Sequence, residues 1–309
     1  MTVSSAPVRP AYRPYVARVA AVRRLTPSFV RVTFTGPELE HFSTAGGDQR
    51  IKVLLPHADG SFSDIGQGEG AGDWYDRWRA LDHELRNPFR TYTVRRILPE
   101  RAEVEVDFVV HHDAGPAGAW AEQASAGQEL VIVGPDGRAA QSAGGVDFHP
   151  GTAKRILLVG DETAAPAICG ILERLDDDHQ VDAFIEVPTD ADALTVDCAA
   201  TARVTWLPRG VRAHGEALRE AVSTWVSASE DVLNRAAAPR VQDLADIDVD
   251  RELLWEAPED GQGEFYAWMA GEAATIKALR RLLVSERGVD RRRVAFMGYW
   301  RAGQAERTE

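Results

Sequence analysis

The sequence predicts two domains in series: an antiparallel six-stranded barrel over residues 1–147, then a doubly wound α/β domain with a parallel sheet over residues 148–309. Three observations carry that prediction. The first half holds short segments that alternate apolar with polar residues, each bounded by Gly, Pro or Asp. The second half opens on Arg155-Ile156-Leu157-Leu158-Val159, a nearly all-apolar run of the kind buried on both faces of a parallel sheet, and then alternates strand with helix. Between the two lies a Gly/Ala/Ser-rich stretch at 137–147, where the pattern changes.

Strands are expected at 15–25 and 29–35, the second with Val30, Val32 and Phe34 on one face and Arg31, Thr33 and Thr35 on the other. A third, 51–55, sits between Gly46-Gly47 and Pro56, and segments 90–97, 103–110 and 129–133 complete six. After the fifth, His111-His112-Asp113-Ala114-Gly115-Pro116 leads into a helix bearing Trp120 on its first turn. Proline suits a first helical position because its missing N–H would be unpaired there anyway, and the free amides near Ala117 and Gly118 offer a seat for a pyrophosphate. Several short strands with a single helix argue an antiparallel barrel. Beyond 148 the expected order is strand 155–159, helix 163–175, strands 181–187 and 204–207, helix 214–228, strand 265–270, helix 272–287 and strand 294–297. Residues 59–73 and 229–262 resist assignment, and their composition predicts weakly ordered loops.

With 309 residues and 44% hydrophobic content, each domain can bury its own core. The formal charge of −13 argues against nucleic acid and anionic membranes as partners, because phosphate-binding surfaces are basic. Residues 1–14 lack a signal-peptide core, and no run reaches the roughly 20 apolar residues that span a bilayer, so a cytoplasmic location is expected. Cys169 and Cys198 form neither a disulfide framework nor a metal-binding pair. Without four clustered thiols there is no iron–sulfur centre, and electron traffic would need an organic cofactor. His111 and His112 point to opposite faces of a strand, which argues against a joint metal site.

The chemistry concentrates in three places. In Arg90-Thr91-Tyr92-Thr93-Val94-Arg95, Arg supplies a fork for phosphate oxygens, Tyr a π face, and Thr93 an uncharged hydrogen-bonding group. That combination suggests a flavin, although polar strand edges of the same composition are common. Gly160-Asp161-Glu162-Thr163 directly follows the first buried strand: Gly160 permits close backbone approach, and Thr163 can cap a helix or donate to a phosphate. The G-x-G-x-x-G fingerprint is absent, so the residues alone favour an ordinary helix start over a phosphate loop. Gly271-Glu272 repeats the strand-to-helix pattern, and Glu272 also suits a helix N-terminus electrostatically. Glu186 ends the second strand, with Asp190 and Asp192 following; carboxylates there favour ribose hydroxyls, whereas Arg203, Arg209 and Arg212 can fold back on a 2′-phosphate. The residues leave a 2′-hydroxyl and a 2′-phosphate both open. The aromatic pair Tyr299-Trp300 on the sheet's last strand either stacks over a cofactor ring or packs between domains.

Taken with Gly134-Pro135, Ala270-Gly271-Glu272 and Gly298-Tyr299-Trp300-Arg301, these motifs resemble the siderophore-interacting proteins, a branch of the ferredoxin–NADP reductase superfamily also described as ferric-siderophore reductases. The resemblance covers roughly residues 15–303 in family order. It implies an FAD-binding barrel and a nicotinamide-binding α/β domain. Arg90 would sit at the pyrophosphate, Tyr92 against the isoalloxazine or ribityl chain and Thr93 near the reactive nitrogen, with Thr91 and Trp120 in the same motifs. The backbone of His111, His112 and Asp113 would border the cofactor, and Pro116, Ala117 and Gly118 would cap its phosphates. Gly160, Asp161, Glu162, Thr163, Gly271 and Glu272 would form the NADH or NADPH side, and Tyr299 or Trp300 would cover the flavin. By position in resembling sequences, Lys52 and Arg301 would meet an anionic ferric siderophore. The implied activity moves electrons from NAD(P)H through FAD to Fe(III), releasing Fe(II), and needs no general acid, base or protein-bound metal. A ferredoxin-type electron donor and a non-enzymatic siderophore binder are the competing readings. An acidic carrier protein would be repelled by the charge of −13. Long insertions at 57–87 and 229–262 depart from the family pattern and bear on the substrate entrance.

Overall fold

A computed structural model describes residues 9–110, 115–140 and 144–303 of the chain. They fall into two compact units, one within Met1–Leu25, Phe29–Ala45 and Gln49–Gly145, the other within Thr26–Ser28, Gly46–Asp48 and Val146–Glu309. Among the described residues no helix is long and apolar enough to cross a membrane.

The first unit is a closed six-stranded barrel. Its strands β1 (Tyr12–Arg24), β2 (Phe29–Thr35), β3 (Arg50–Leu54), β4 (Phe89–Leu98), β5 (Glu103–Val109) and β6 (Glu129–Pro135) pair in the order β1-β2-β5-β4-β3-β6. Every pairing is antiparallel. The period of two seen in the sequence becomes the barrel core: Val30, Val32, Phe34, Ile51, Val53, Val104, Val106, Phe108, Leu130 and Ile132 are buried together. Residues between them point outward. In β4 this alternation holds as far as Val94, which pairs with Val106; Arg96 then pairs with Glu105, leaving Arg95 as the extra residue of a bulge.

Two helices accompany the barrel where one was expected: α1 (Trp74–Ala80) and α2 (Pro116–Glu122). The first lies inside the 57–87 insertion. Trp74 and Trp78, one turn apart, pack with Ile65 onto the outward-facing Leu54, Phe89, Val131 and Val133, a second apolar cluster on the far side of the barrel wall. Residues 59–73 form neither helix nor strand, yet they are tied down. Asn87 donates to the carbonyls of Leu55 and Ser61 and accepts from the Ser63 amide. The 59–73 loop is thus present as its composition predicts but is packed rather than loose, and the rest of the insertion carries α1.

The second unit is the α/β domain. Strands β7 (Arg155–Gly160), β8 (Gln180–Val187), β9 (Thr201–Pro208), β10 (Trp255–Glu256), β11 (Phe265–Glu272) and β12 (Val294–Trp300) form one sheet in the order β9-β8-β7-β11-β12-β10. All neighbours are parallel except the short β10, which runs antiparallel along β12. Helices α3 (Ala165–Leu172), α4 (Glu216–Ala228), α5 (Glu230–Ala236) and α6 (Ala273–Arg280) connect them, and α6 continues as a π-helical turn over Arg281–Glu286. α4, α5 and α6 cover the sheet face bearing Leu157 and Val159; no residue of α3 belongs to that cluster, although all eight are buried. The 229–262 stretch, expected to be loose, contributes α5 and β10 and buries Leu233, Ala236 and Leu254.

Candidate functional site

Strand β4 places Arg90, Tyr92 and Val94 on one side. Tyr92 is half-buried, its ring 4.4 Å from that of Phe108 against the barrel core. Arg90, opposite Val53 of β3, is half-buried and donates from Nη1 to the Phe89 carbonyl at 2.7 Å. Arg13, Arg31 and Arg138 of this unit each pair with an aspartate. Arg90 makes no ion pair among the described residues. A partly desolvated guanidinium without a carboxylate is poorly compensated, and a phosphate would match it in both charge and fork geometry.

The other side of β4 carries Phe89, Thr91 and Thr93. Thr93 is buried, and the Thr91 hydroxyl accepts from Lys52 Nζ at 2.6 Å, with that ammonium 5.4 Å from the Phe89 ring centroid. Lys52 and Thr91 thus belong to the face opposite Arg90 and Tyr92. His111, His112 and Asp113 lie outside the described residues. Of the first turn of α2, Pro116 is exposed while Ala117 and Gly118 are buried. With seven residues α2 has a modest dipole, so its free amides carry most of any anion affinity. Trp120 turns inward: its ring stacks on Phe34 at 6.3 Å and lies 5.6 Å from Phe108, seating the helix on the barrel.

In the α/β unit the strand order reverses between β7 and β11, and the crevice at the carboxyl ends of these two strands is where open α/β sheets bind ligands. Gly160 ends β7 there and Gly271-Glu272 end β11. Asp161 binds the ends together. Its Oδ1 accepts from the Thr163 amide at 2.9 Å and the Thr163 hydroxyl at 2.6 Å; its Oδ2 accepts from the Glu272 amide and from Trp300 Nε1, each at 2.8 Å. Gly271, at φ 150°, is required by this arrangement, because a Cβ there would lie 2.6 Å from Asp161 Oδ2. Burial, reinforced by the neighbouring Glu162 carboxylate, pushes the pKa of Asp161 up to about 6.

Around this hub the charges are paired off within the protein. Glu162 holds Arg209 through both oxygens at 3.0 and 2.9 Å. Arg209 also reaches Glu186 at 3.2 Å. Glu186, fully buried, accepts the amides of Gly215 and Leu218 at the start of α4. The carboxylate expected to greet a ribose is spent on the backbone. Asp192 is likewise buried, accepting from Thr26, Ser28 and Thr189 within this unit. Arg212 pairs with Glu216 and Glu220, and Arg203 is largely solvated. Thr163 does not cap α3, which begins at Ala165 with no side-chain cap; its hydroxyl serves Asp161 instead. Glu272 is the N-cap of α6, accepting from the Thr275 amide at 2.8 Å.

Tyr299 stacks on Trp255 at 5.6 Å and meets Trp268 edge-on at 6.2 Å, so its ring is packed in the β10–β12 corner of its own unit. Trp300 is half-buried between Asp161 and the imidazole of His214, whose ring centroid is 5.0 Å away in an edge-to-face arrangement. Arg301 donates to the carbonyls of Asp250 and Glu252, fastening the 229–262 insertion rather than standing free as a cation. Sequence reasoning passed over His214. It is exposed at the crevice rim with no hydrogen-bond partner among the described residues; partial desolvation, then the Arg209 charge, lower its pKa below 6.5. An isolated His two residues after an Arg gives no signal in a sequence.

Residues 18–139 match the siderophore-interacting FAD-binding domain, and residues 153–303 match the siderophore-interacting protein domain. An uncharacterized protein of Mycobacterium tuberculosis is 32% identical over 291 residues, covering 93% of this chain and 90% of that protein. The ferric vibriobactin reductase ViuB of Vibrio cholerae is 25% identical over 279 residues, covering 90% and 86% of the two chains. Among solved structures, a siderophore utilization protein from T. fusca superposes with a TM-score of 0.69 at 28% identity, over 96% of this chain and 95% of the other.

Proposed function

This chain belongs to the siderophore-interacting protein family, and we propose that it is an FAD-dependent reductase that takes electrons from a nicotinamide nucleotide and delivers them to Fe(III) in a siderophore. The observation that carries the cofactor half of this reading is Arg90, a half-buried guanidinium with no carboxylate of its own beside a tyrosine ring and a buried threonine on one strand. That donor set fits an FAD: Arg90 would hold the pyrophosphate, the amides of Ala117 and Gly118 would add donors, and Tyr92, on the same face of β4 as Arg90, would meet the ring system. When bound, FAD supplies the conversion between a two-electron donor and the single electron that Fe(III) accepts.

The protein's own task is to bind and orient. The β7–β11 crevice supports the donor reading by its position at the topological switch and by the rigidity Asp161 gives it. Lys52, whose ammonium is half-buried and held by Thr91, would attract an anionic ferric chelate. Reduction lowers the charge and hardness of the iron, so oxygen chelators hold it less tightly. No proton transfer by a side chain is needed, and a cytoplasmic setting would supply the nucleotide. The test is direct. Purified chain loaded with FAD should oxidise NADH or NADPH only when a ferric chelate is present, with Fe(II) appearing in step. A chain that binds FAD yet oxidises neither nucleotide, and reduces iron only from reduced ferredoxin, would move the donor to a carrier protein.

A further inference from the structure

We infer that the donor is NADH and that NADPH is discriminated against by a carboxylate clamp on Arg209. The inference rests on the nicotinamide reading above and deepens it. In a sheet of order β9-β8-β7-β11-β12, the ends of β8 and β9 flank the first strand on the side where a dinucleotide's adenosine ribose is recognised. A 2′-phosphate bound there needs a guanidinium or ammonium to receive it. Arg209 follows β9 directly and is the guanidinium in place for that role, but its side chain is 10% exposed and three of its contacts go to Glu162 and Glu186.

The local sum decides the sign. Glu162, Glu186 and Arg209 together carry one net negative charge, in a setting where all three side chains are at most 10% exposed. Arg212, three residues on, is paired with Glu216 and Glu220 and cannot reverse that sum without breaking two contacts. His214, beside them on Trp300, offers a neutral imidazole with its ring nitrogens unengaged among the described residues, a partner for ribose hydroxyls rather than for a dianion. Arg219 is the guanidinium of this region that lacks a carboxylate; its Nε is given to the Gly215 carbonyl. A 2′-phosphate would therefore enter a negatively biased site whose best cation is already taken, while a 2′-hydroxyl meets hydrogen-bonding groups.

The experiment titrates the full-length, FAD-loaded chain with NAD⁺ and NADP⁺ by calorimetry and measures flavin bleaching by NADH and NADPH under anaerobic conditions. NAD⁺ should bind at least about tenfold more tightly than NADP⁺, a difference of about 1.4 kcal/mol. Glu162→Gln, which takes one charge off Arg209, should narrow that ratio chiefly by improving NADP⁺ binding, and Arg219→Ala should leave it unchanged. Equal or tighter binding of NADP⁺ to the unaltered chain overturns the inference while leaving a nicotinamide donor in place. A preference that does not move in Glu162→Gln overturns the clamp as its cause, and so does a marked rise of the preference in Arg219→Ala, which would show that guanidinium already receiving the 2′-phosphate. Failure of both nucleotides to bind and to bleach the flavin removes the donor reading itself and the inference with it.

Discussion

Asp161 is buried without a cation beside it, and that makes its charge measurable through stability. Its pKa stands at about 6 against an ordinary 3.8. A carboxyl whose folded pKa is raised binds its proton more tightly in the folded state. Stability is therefore fully present below about pH 4 and is lost as pH rises through about 6. A shift of roughly 2 units at about 1.4 kcal/mol per unit makes ionised Asp161 a burden of about 3 kcal/mol at neutral pH, of which about 2 kcal/mol falls between pH 4.5 and 8. Asp161→Asn removes the titration. Its amide offers one oxygen to four donors, so some hydrogen bonds are lost, but that cost does not change with pH. The difference in unfolding free energy between variant and parent isolates the charge. Urea titrations at pH 4.5, 6 and 8, following the tryptophan signal, should show the variant gaining about 2 kcal/mol relative to the parent across that range. A difference that stays constant from pH 4.5 to 8 would refute the assignment of an unpaired, ionised carboxylate at this junction.

Three further outcomes are expected. Arg90→Ala should lower the flavin content of the purified chain far more than its folded yield, since the lost contact is to a phosphate; full flavin retention in absorbance spectra would sink that role. Lys52→Ala should raise the half-saturating concentration of anionic ferric chelates and leave the rate of flavin reduction by nicotinamide unchanged, and an equal loss in both steps would contradict it. Gly271→Ala should destabilise by about 1–3 kcal/mol, because its φ of 150° and its 2.6 Å approach to Asp161 leave no room for a methyl group; an unchanged melting temperature would show the crevice to be looser than described.

What could be read from the chain followed from side-chain periodicity. Val30-Arg31-Val32-Thr33-Phe34 alternates, and the strand is there with those faces; 156–159 is apolar throughout, and it lies in a central parallel strand. The period fails where an element is too short to display it. α1 shows two tryptophans four residues apart among charged neighbours, and its helix exists because Phe89, Leu54 and Val133 on distant strands receive those rings. β10 is two residues long and is held by its pairing with Phe296 and Met297, some forty residues away. Neither partner can be inferred from the local segment, and polar composition then suggests a loop.

The site shows the same division in sharper form. The Gly160-Asp161-Glu162-Thr163 and Gly271-Glu272 segments stand at the switch point as their strand-to-helix pattern foretold, yet nearly every polar group in them is used by the protein. Asp161 answers four donors, three of which cannot accept, and Trp300 lies 139 residues away. That donor count explains why a carboxylate stands there and not its amide, since Asn could satisfy half of them. Glu162 answers Arg209, Glu272 answers α6, and Glu186 answers α4. A charged residue beside a glycine looks the same in sequence whether it touches a ligand or braces the backbone that does. The distinction lies in the partners, which reach as far as 32, 47 and 139 residues away for Glu186, Glu162 and Asp161. Ligand contacts at this edge are therefore to be sought among the groups left over, the His214 imidazole and the rim of Trp300, because the space beside the buried Gly160 is filled by Ala164 and Ala270.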